Sequence, residues 1–464
     1  MEPKSNFFAH FSFPIFIYSV LSTFFLYKNL SGITVILFVG STIWLCRYAM
    51  KYSEIKPKKN NGIYQTLLLL LGISTILTGN SFIIFFNYVF MFLLVLCLLL
   101  HNYYPDETWN FGTYFSSLLL SVMGAVGMIG VPYADWKAYR VEKKGKKNEV
   151  LSHILLGLLF SVPFLLIVLT LLASADIVFS HMLSSLFSDI FHIPTIIGIT
   201  LLFVFLFFSS YCGLRYIDKR DLCAQKLEQK KYSAVTAITM LLPLTLVYLV
   251  FSVIQILYLF MGKMTLPEDY TYAMYAREGF FQLLAVSLIN VLLVVIIQWL
   301  FQKHVFLQIL LTIVSACTYI MIASSTLRML LYIQAYHLTF LRVLVLWTLA
   351  VLALFLIGIL IQIYRPAFSL FRYGILLFSV CYLLLSLSHV DYFIARYDLQ
   401  VVSDTESPDY FYIVGLSTDA APALIEAEES VKRDFIYYHE KELTYHLRTF
   451  NLSHFMADQI LSDL

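Results

Sequence analysis

The feature that most constrains this chain is a succession of apolar runs, each close to the length that crosses a bilayer, repeated from the first residues almost to position 390. A hydrocarbon core takes about 20 apolar residues at 1.5 Å rise each. Lipid offers the backbone no hydrogen-bonding partner, so consecutive spans of this kind must be helices. Runs fall at Phe11 to Tyr27, Gly32 to Cys46, Tyr64 to Thr78, Phe82 to Leu100, Phe111 to Val131 and Ile154 to Ala173. They continue at Thr195 to Tyr211, Val235 to Met261, Phe280 to Phe301, Val305 to Thr326, Val343 to Tyr364 and Leu370 to Leu387. The expected fold class is all-α: a polytopic helical membrane protein with about 11–12 transmembrane helices and a small helical C-terminal tail. Composition agrees, because 464 residues of which 60% are hydrophobic and only 13% charged cannot hide their apolar surface in water.

The formal charge of +2 conceals a partition. The tail from His389 onward carries 14 acidic and 5 basic residues, which leaves 15 acidic and 26 basic in the preceding body, near +11 against −9. The basic residues lie in short clusters between apolar runs, the pattern of cytoplasmic loops rather than of a nucleic-acid footprint, so no nucleic-acid partner is expected. Three stretches are strongly basic: Arg47 to Lys59, Lys137 to Lys147 and Arg215 to Lys231. The positive-inside rule places all three in the cytoplasm and the tail outside, in a multi-pass protein of a bacterial plasma (inner) membrane. Between the first two stretches lie three apolar runs, an odd number that cannot return the chain to the same side. Either Tyr64 to Leu100 crosses once with a broken or re-entrant piece at Thr78-Gly79-Asn80, or the first basic stretch breaks the rule; the former is favoured, since Gly and Asn in mid-run free backbone groups.

These divisions suggest N-terminal helices over 1–131, central helices with basic loops over 132–234, C-terminal helices over 235–388 and an acidic helical tail over 389–464. Asp176 to Ile193 has the apolar face of an interfacial helix on the outer leaflet. In the tail, Asp409 to Leu416 reads as a short helix, and Thr418 or Asp419 as the cap of a helix from Ala420 toward Leu447.

Catalytic and cofactor motifs are missing: there is no Walker loop, nucleophile elbow or His-Glu-x-x-His. The six cysteines form no Cys-x-x-Cys pair and read as small hydrophobes. His181 and His192 lie 11 positions apart, about 16 Å along a helix, too far to share one ion. No cofactor, metal or catalytic residue is therefore expected. His101, Asp106 and Glu107, among Tyr103, Tyr104 and Trp109, read as a wet interfacial loop.

Four ordered stretches carry a resemblance: Tyr-Ala-Arg-Glu-Gly-Phe (275–280), Arg328 to Arg342, His-Val-Asp-Tyr-Phe-Ile-Ala-Arg-Tyr-Asp-Leu (389–399) and Leu-Ser-Thr-Asp-Ala-Ala-Pro-Ala-Leu (416–424). Together they resemble the signatures of a bacterial family of multi-pass membrane proteins catalogued as a domain of unknown function. The likeness covers about 240 residues of the C-terminal half and departs from the pattern at His337, where that family tends to have Gly, and at Asp398, where it tends to have Asn. It implies architecture and no chemistry.

The topology gathers ionisable residues from distant segments at one outer boundary: Arg277, Glu278, Arg328, His337, Arg342, His389, Asp391 and Arg396. Charges there are costly unless paired or hydrated, which makes the cluster the candidate ligand-binding site. The expected function is a non-enzymatic envelope protein that binds a partner protein or anionic lipid headgroups at this face, besides the bilayer itself. A membrane enzyme or lipid transporter acting on a phosphate-bearing lipid is the alternative, and a solute carrier the third reading. The scarcity of acidic residues in mid-span weighs against the last.

Overall fold

The computed structural model describes residues 5–106, 109, 111–142, 193–219, 232–257, 272–402, 410–443 and 446–461, with scattered positions between 157 and 179. Every regular element among the described residues is a helix. In chain order they begin α1 Ser5–Leu26, α2 Thr34–Tyr52, α3 Asn61–Leu77, α4 Ser81–Tyr103, α5 Phe111–Val126 and α6 Val131–Glu142. Then follow α7 Ile193–Asp218, α8 Ala234–Gln255, α9 Tyr272–Leu300, α10 Val305–Tyr336, α11 Phe340–Tyr364 and α12 Leu370–Leu387. The tail holds α13 Val390–Val402, α14 Tyr410–Val414, a 3₁₀ helix Thr418–Glu426, α15 Glu429–Leu443 and α16 Leu452–Leu461.

Among the described residues eight helices, α1, α4 and α7 through α12, are long and apolar enough to cross a membrane. Val235, Leu246, Val247 and Val250 of α8 all stand exposed, an outward apolar face that only lipid or another apolar surface covers. The chain is thus a polytopic helical membrane protein. The sequence count of 11–12 also included the segments that became α2, α3 and α5; α3 is a shorter apolar helix and α5 is one arm of a pair bent by 62° against α6. The run at 154–173 and the interfacial helix expected over 176–193 lie mostly outside the described residues.

The chain divides into two compact units. The first comprises Met1–Leu69, Leu96–Tyr104 and Leu119–Asp221. There α1 and α2 form an antiparallel pair: Asn29 donates from its amide to Thr34 Oγ1 at 2.7 Å and closes the turn, while at the other end Tyr48 donates to the carbonyl of His10 at 3.0 Å. The described parts of the three basic stretches meet at one end of this unit. Ser53 donates to Asp218 at 3.1 Å, and Arg215 of α7 pairs with Asp135 of α6 at 3.0 Å.

The same unit shows where the chain runs after α4. The Tyr104 hydroxyl, just past α4, donates to the carbonyl of Ile217 at 3.0 Å. Twenty residues later Gly124 lies so close to the ring of Tyr216 that a Cβ there would collide with it. The chain leaves α4 and is still at that level at the end of α5, so α5 and α6 run along one end of α7 instead of traversing its length. The turn at Thr78–Asn80, for its part, joins a hairpin. Asn102 donates to Asn61 at 3.1 Å and Asn87 to Thr75 at 3.0 Å, which sets α3 and α4 antiparallel.

The second unit comprises Leu70–Val95, Pro105–Leu118 and Leu222–Leu464. Its apolar core runs through α8 to α12, with Leu241, Val294, Val314, Leu349 and Ile359 buried. Buried amides join its helices as expected of polar groups in lipid: Asn290 accepts from Tyr248 at 2.8 Å and donates to Thr318 at 3.0 Å, and Ser324 donates to Gln255 at 2.6 Å. Asp106, read as part of a wet loop, is buried and pairs with Arg372 at 3.1 Å. The continuous tail helix is also corrected. Residues 418–426 wind as 3₁₀, extended backbone at Ala427 breaks the path, and α15 starts afresh at Glu429. Of the tail's apolar residues Leu424, Val431 and Phe435 are buried, whereas Leu447 stands exposed.

Candidate functional site

The interruption Thr78-Gly79-Asn80 supplies backbone and side-chain groups that no helix uses, and the acidic tail answers them. Asp419, at the start of the 3₁₀ helix, accepts from Thr78 Oγ1 at 2.5 Å and from the Gly79 N–H at 2.9 Å. Asp391, in the first turn of α13, accepts from Asn80 Nδ2 at 2.8 Å and from the Ser417 hydroxyl at 2.5 Å. Asn451 donates to the carbonyl of Thr78 at 2.9 Å. A Cβ on Gly79 would strike Thr418 Oγ1, so the glycine serves close approach of the tail. The polar seam continues down the α3–α4 hairpin, where Asn87 accepts from Tyr382 at 2.9 Å and from Ser386 at 3.0 Å.

The two carboxyls differ. Burial and the nearby charge of Asp419 push Asp391 above the ordinary carboxyl range, against the hydrogen bonds that favour its anion. Its Oδ1 has no hydrogen-bond partner among the described residues. Burial also acts on Asp419, but His389 together with Ser453, Thr78 and the Gly79 amide outweighs it and holds this carboxyl below its usual value. His389 Nδ1 lies 3.7 Å from Asp419 Oδ2, and that contact raises the imidazole despite burial. Nearby, burial depresses His454, whose Nε2 lies beside Gly79. The two shifts run in opposite directions, the sense expected when neighbouring carboxyls feel each other's charge and only one of them has a cationic partner.

A second group of the expected residues gathers at the α10–α11 corner. His337 ends α10 at φ 65°, a left-handed conformation in which glycine is at ease and histidine strained. Leu338 then donates its N–H to Asp398 Oδ1 at 2.9 Å. The two positions at which the chain departs from the family pattern are therefore neighbours in space. Arg342 donates from Nη1 to the carbonyls of Tyr336 and His337 and lies over the Tyr332 ring at 4.4 Å. A cavity of about 180 Å³ opens beside it, walled by Phe280, Met329, Tyr332, Thr339, Leu341 and Val345 among others.

Arg328 is buried in α10, its guanidinium pressed against Gly279. Arg396 is exposed on α13 and reaches only its neighbour Tyr392, at 2.8 Å. Arg277 and Glu278 belong to α9, but their side chains lie outside the described residues. The expected cluster thus resolves into a tail-docking group, His389 with Asp391, and a corner group, His337 with Arg342. Asn80, Thr78 and Asp419 were missed as partners; the signal was the Gly-Asn interruption itself, read as a topology problem rather than as a set of donors. Among the described residues no group of three or more His, Cys, Asp or Glu could hold a metal ion.

A family model described as a domain of unknown function, DUF4153, matches residues 66–427. That range takes in the α3–α4 turn, the α10–α11 corner and the docking residues Asp391 and Asp419. None of the curated proteins and none of the solved structures matches the chain.

Proposed function

We propose that this chain, which belongs to the DUF4153 family, is a non-enzymatic integral membrane protein of the cell envelope that binds the phosphate of an anionic lipid headgroup beside Arg342. The observation that carries the reading is the fixed guanidinium at the wall of an otherwise apolar cavity. Two backbone carbonyls occupy Nη1 and an aromatic ring covers one face, so the fork is oriented before any ligand arrives. Such a fork suits a phosphate, and the Thr339 hydroxyl adds a neutral donor. Phe280, Met329 and Val345 suit the methylenes that follow a headgroup. The basic stretches then lie in the cytoplasm and the tail outside.

Two measurements test this. Lipid retained through purification, weighed by native mass spectrometry, is expected to be anionic in the wild type. It should fall about tenfold in Arg342→Lys, which keeps the charge but loses the planar fork, on the scale of one charge-assisted hydrogen bond. Retention equal to the wild type in both Arg342→Lys and Arg342→Leu removes the reading. An impermeant thiol reagent should label Ser407→Cys on intact cells; labelling only after lysis reverses the orientation.

A further inference from the structure

We propose that the first unit holds a separate anion site, a basic cavity at the junction of α2 and α3 that takes a phosphate-bearing ligand. The cavity measures about 570 Å³ and presents Arg47, Lys51 and Lys56 against a single carboxylate, Glu54, with Met50 and Ile55 as an apolar wall. The excess charge alone would describe any solvated loop. Here the loop is built.

Residues 53–60 are tied to the rest of the unit by their own polar groups. Lys58 donates from Nζ to the carbonyl of Tyr104 at 2.5 Å and from its backbone N–H to Asn102 at 3.1 Å. Asn102 in turn donates to Asn61, the first residue of α3 and part of the cavity wall, at 3.1 Å. Ser53 is held by Asp218 at 3.1 Å. Glu54 turns the chain at φ 56°, a conformation that non-glycine residues keep only where surroundings enforce it. Lys58 is thus committed to structure, while Arg47, Lys51 and Lys56 line the cavity.

Arg47 is also oriented. Its Nη2 donates to Gln65 Oε1, and Gln65 is a side chain only 7% exposed. The amide Nε2 of that same Gln65 is buried with no hydrogen-bond partner among the described residues. A buried unsatisfied N–H is costly, and next to a guanidinium it calls for an acceptor and not for another donor. Three cations against one carboxylate make a lining rich in donors and poor in acceptors, the chemistry that recognises phosphate oxygens, and the Gln65 donor lies behind Arg47. The volume exceeds that of one phosphate, so the ligand carries more than the anion: a glycerol-linked headgroup of the surrounding leaflet, or a soluble diphosphate. Basic pockets between membrane helices are suited to the former. This site shares no residue with the Arg342 cavity and stands whether or not that reading holds.

The test uses full-length protein in neutral detergent, titrated separately with short-chain phosphatidylglycerol and with inorganic pyrophosphate, occupancy being counted by native mass spectrometry. Replacing Arg47, Lys51 and Lys56 together by Gln is expected to weaken binding about a hundredfold, close to fivefold for each charge removed. A control in which the tail cations Lys432, Arg433 and Lys441 become Gln should bind like the wild type, and both titrations are run in an Arg342→Leu background so that only this site is counted. Glu54→Gln, which removes the one opposing charge, should tighten binding about fivefold and keeps the proposal testable if the triple variant misfolds. Binding of the lipid without competition from pyrophosphate identifies a headgroup; competition identifies a soluble phosphate ligand. Binding that is unchanged in the triple variant, or lost equally in the tail control, overturns the site, as does an affinity unmoved by Glu54→Gln.

Discussion

Replacement of Asp135 by Ala is expected to destabilise the first unit by about 3–5 kcal/mol, the scale for removing one partner of a buried ion pair. The Asp135 and Arg215 side chains are 0% and 2% exposed, and the pair is closed at 3.0 Å. Tyr211 donates to the same carboxylate oxygen at 3.1 Å, and the guanidinium sits 5.3 Å from the ring centre of Phe7. Removing the carboxylate leaves a buried cation and a buried hydroxyl unanswered, while the pair itself adds little net stability once desolvation is counted. The two statements separate in one experiment. Thermal unfolding in detergent should show Asp135→Ala strongly destabilised. A double variant, Asp135→Leu with Arg215→Met, should recover most of the loss, since apolar residues of similar volume suit a dry site. If the double variant melts as low as the single one, the pair is holding α6 against α7 by its charge and not merely satisfying itself.

That pair also shows where sequence reading reaches and where it stops. Apolar length identified the segments that became α1, α4 and α7 to α12, because a run of about 20 apolar residues has few other fates. Length alone did not say that α5 stays at one end of α7. That depends on the close approach of Gly124 to Tyr216, a contact across some 90 positions that no local pattern encodes. Asp135 lies beside Lys137 and Arg140 and looks like one more charge on a wet loop, yet it is fully buried. In the same way Asp419 reads locally as a helix cap, whereas its hydrogen bonds go to Thr78 and Gly79, 340 positions away. Arg342 was legible as an interfacial arginine, but not its orientation by the carbonyls of Tyr336 and His337, which requires the strained turn at His337. Ionisable residues are visible in sequence as candidates. Their partners are a property of packing.

Asp419→Ala should release the tail. The carboxylate is buried at the meeting point of Thr78, Gly79 and His389, and truncating a hydrogen-bonded buried charge typically costs about 2–5 kcal/mol, much of it from the donors left behind. The loss is local: trypsin should cleave at Lys432 and Arg433 much faster than in the wild type, while the melting of the first unit, which contains none of these contacts, stays in place. Equal cleavage rates in the two proteins would show that the apolar contacts of Leu424 and Phe435 hold the tail without help. The same cleavage assay reads pH. Because the pair raises His389 in the folded state, its contribution is complete below the ordinary histidine value and fades as pH climbs through the raised one, so cleavage should quicken on the alkaline side. Asp419 is shifted the other way, and its contribution is lost only as pH falls below the usual carboxyl range. His454, depressed by burial, must be charged at a penalty as pH drops through the ordinary histidine value, which adds an acidic limb before Asp419 titrates. His389→Gln should therefore flatten the alkaline limb and leave the acidic one standing. If both limbs survive that substitution, the docking of the tail is being titrated elsewhere.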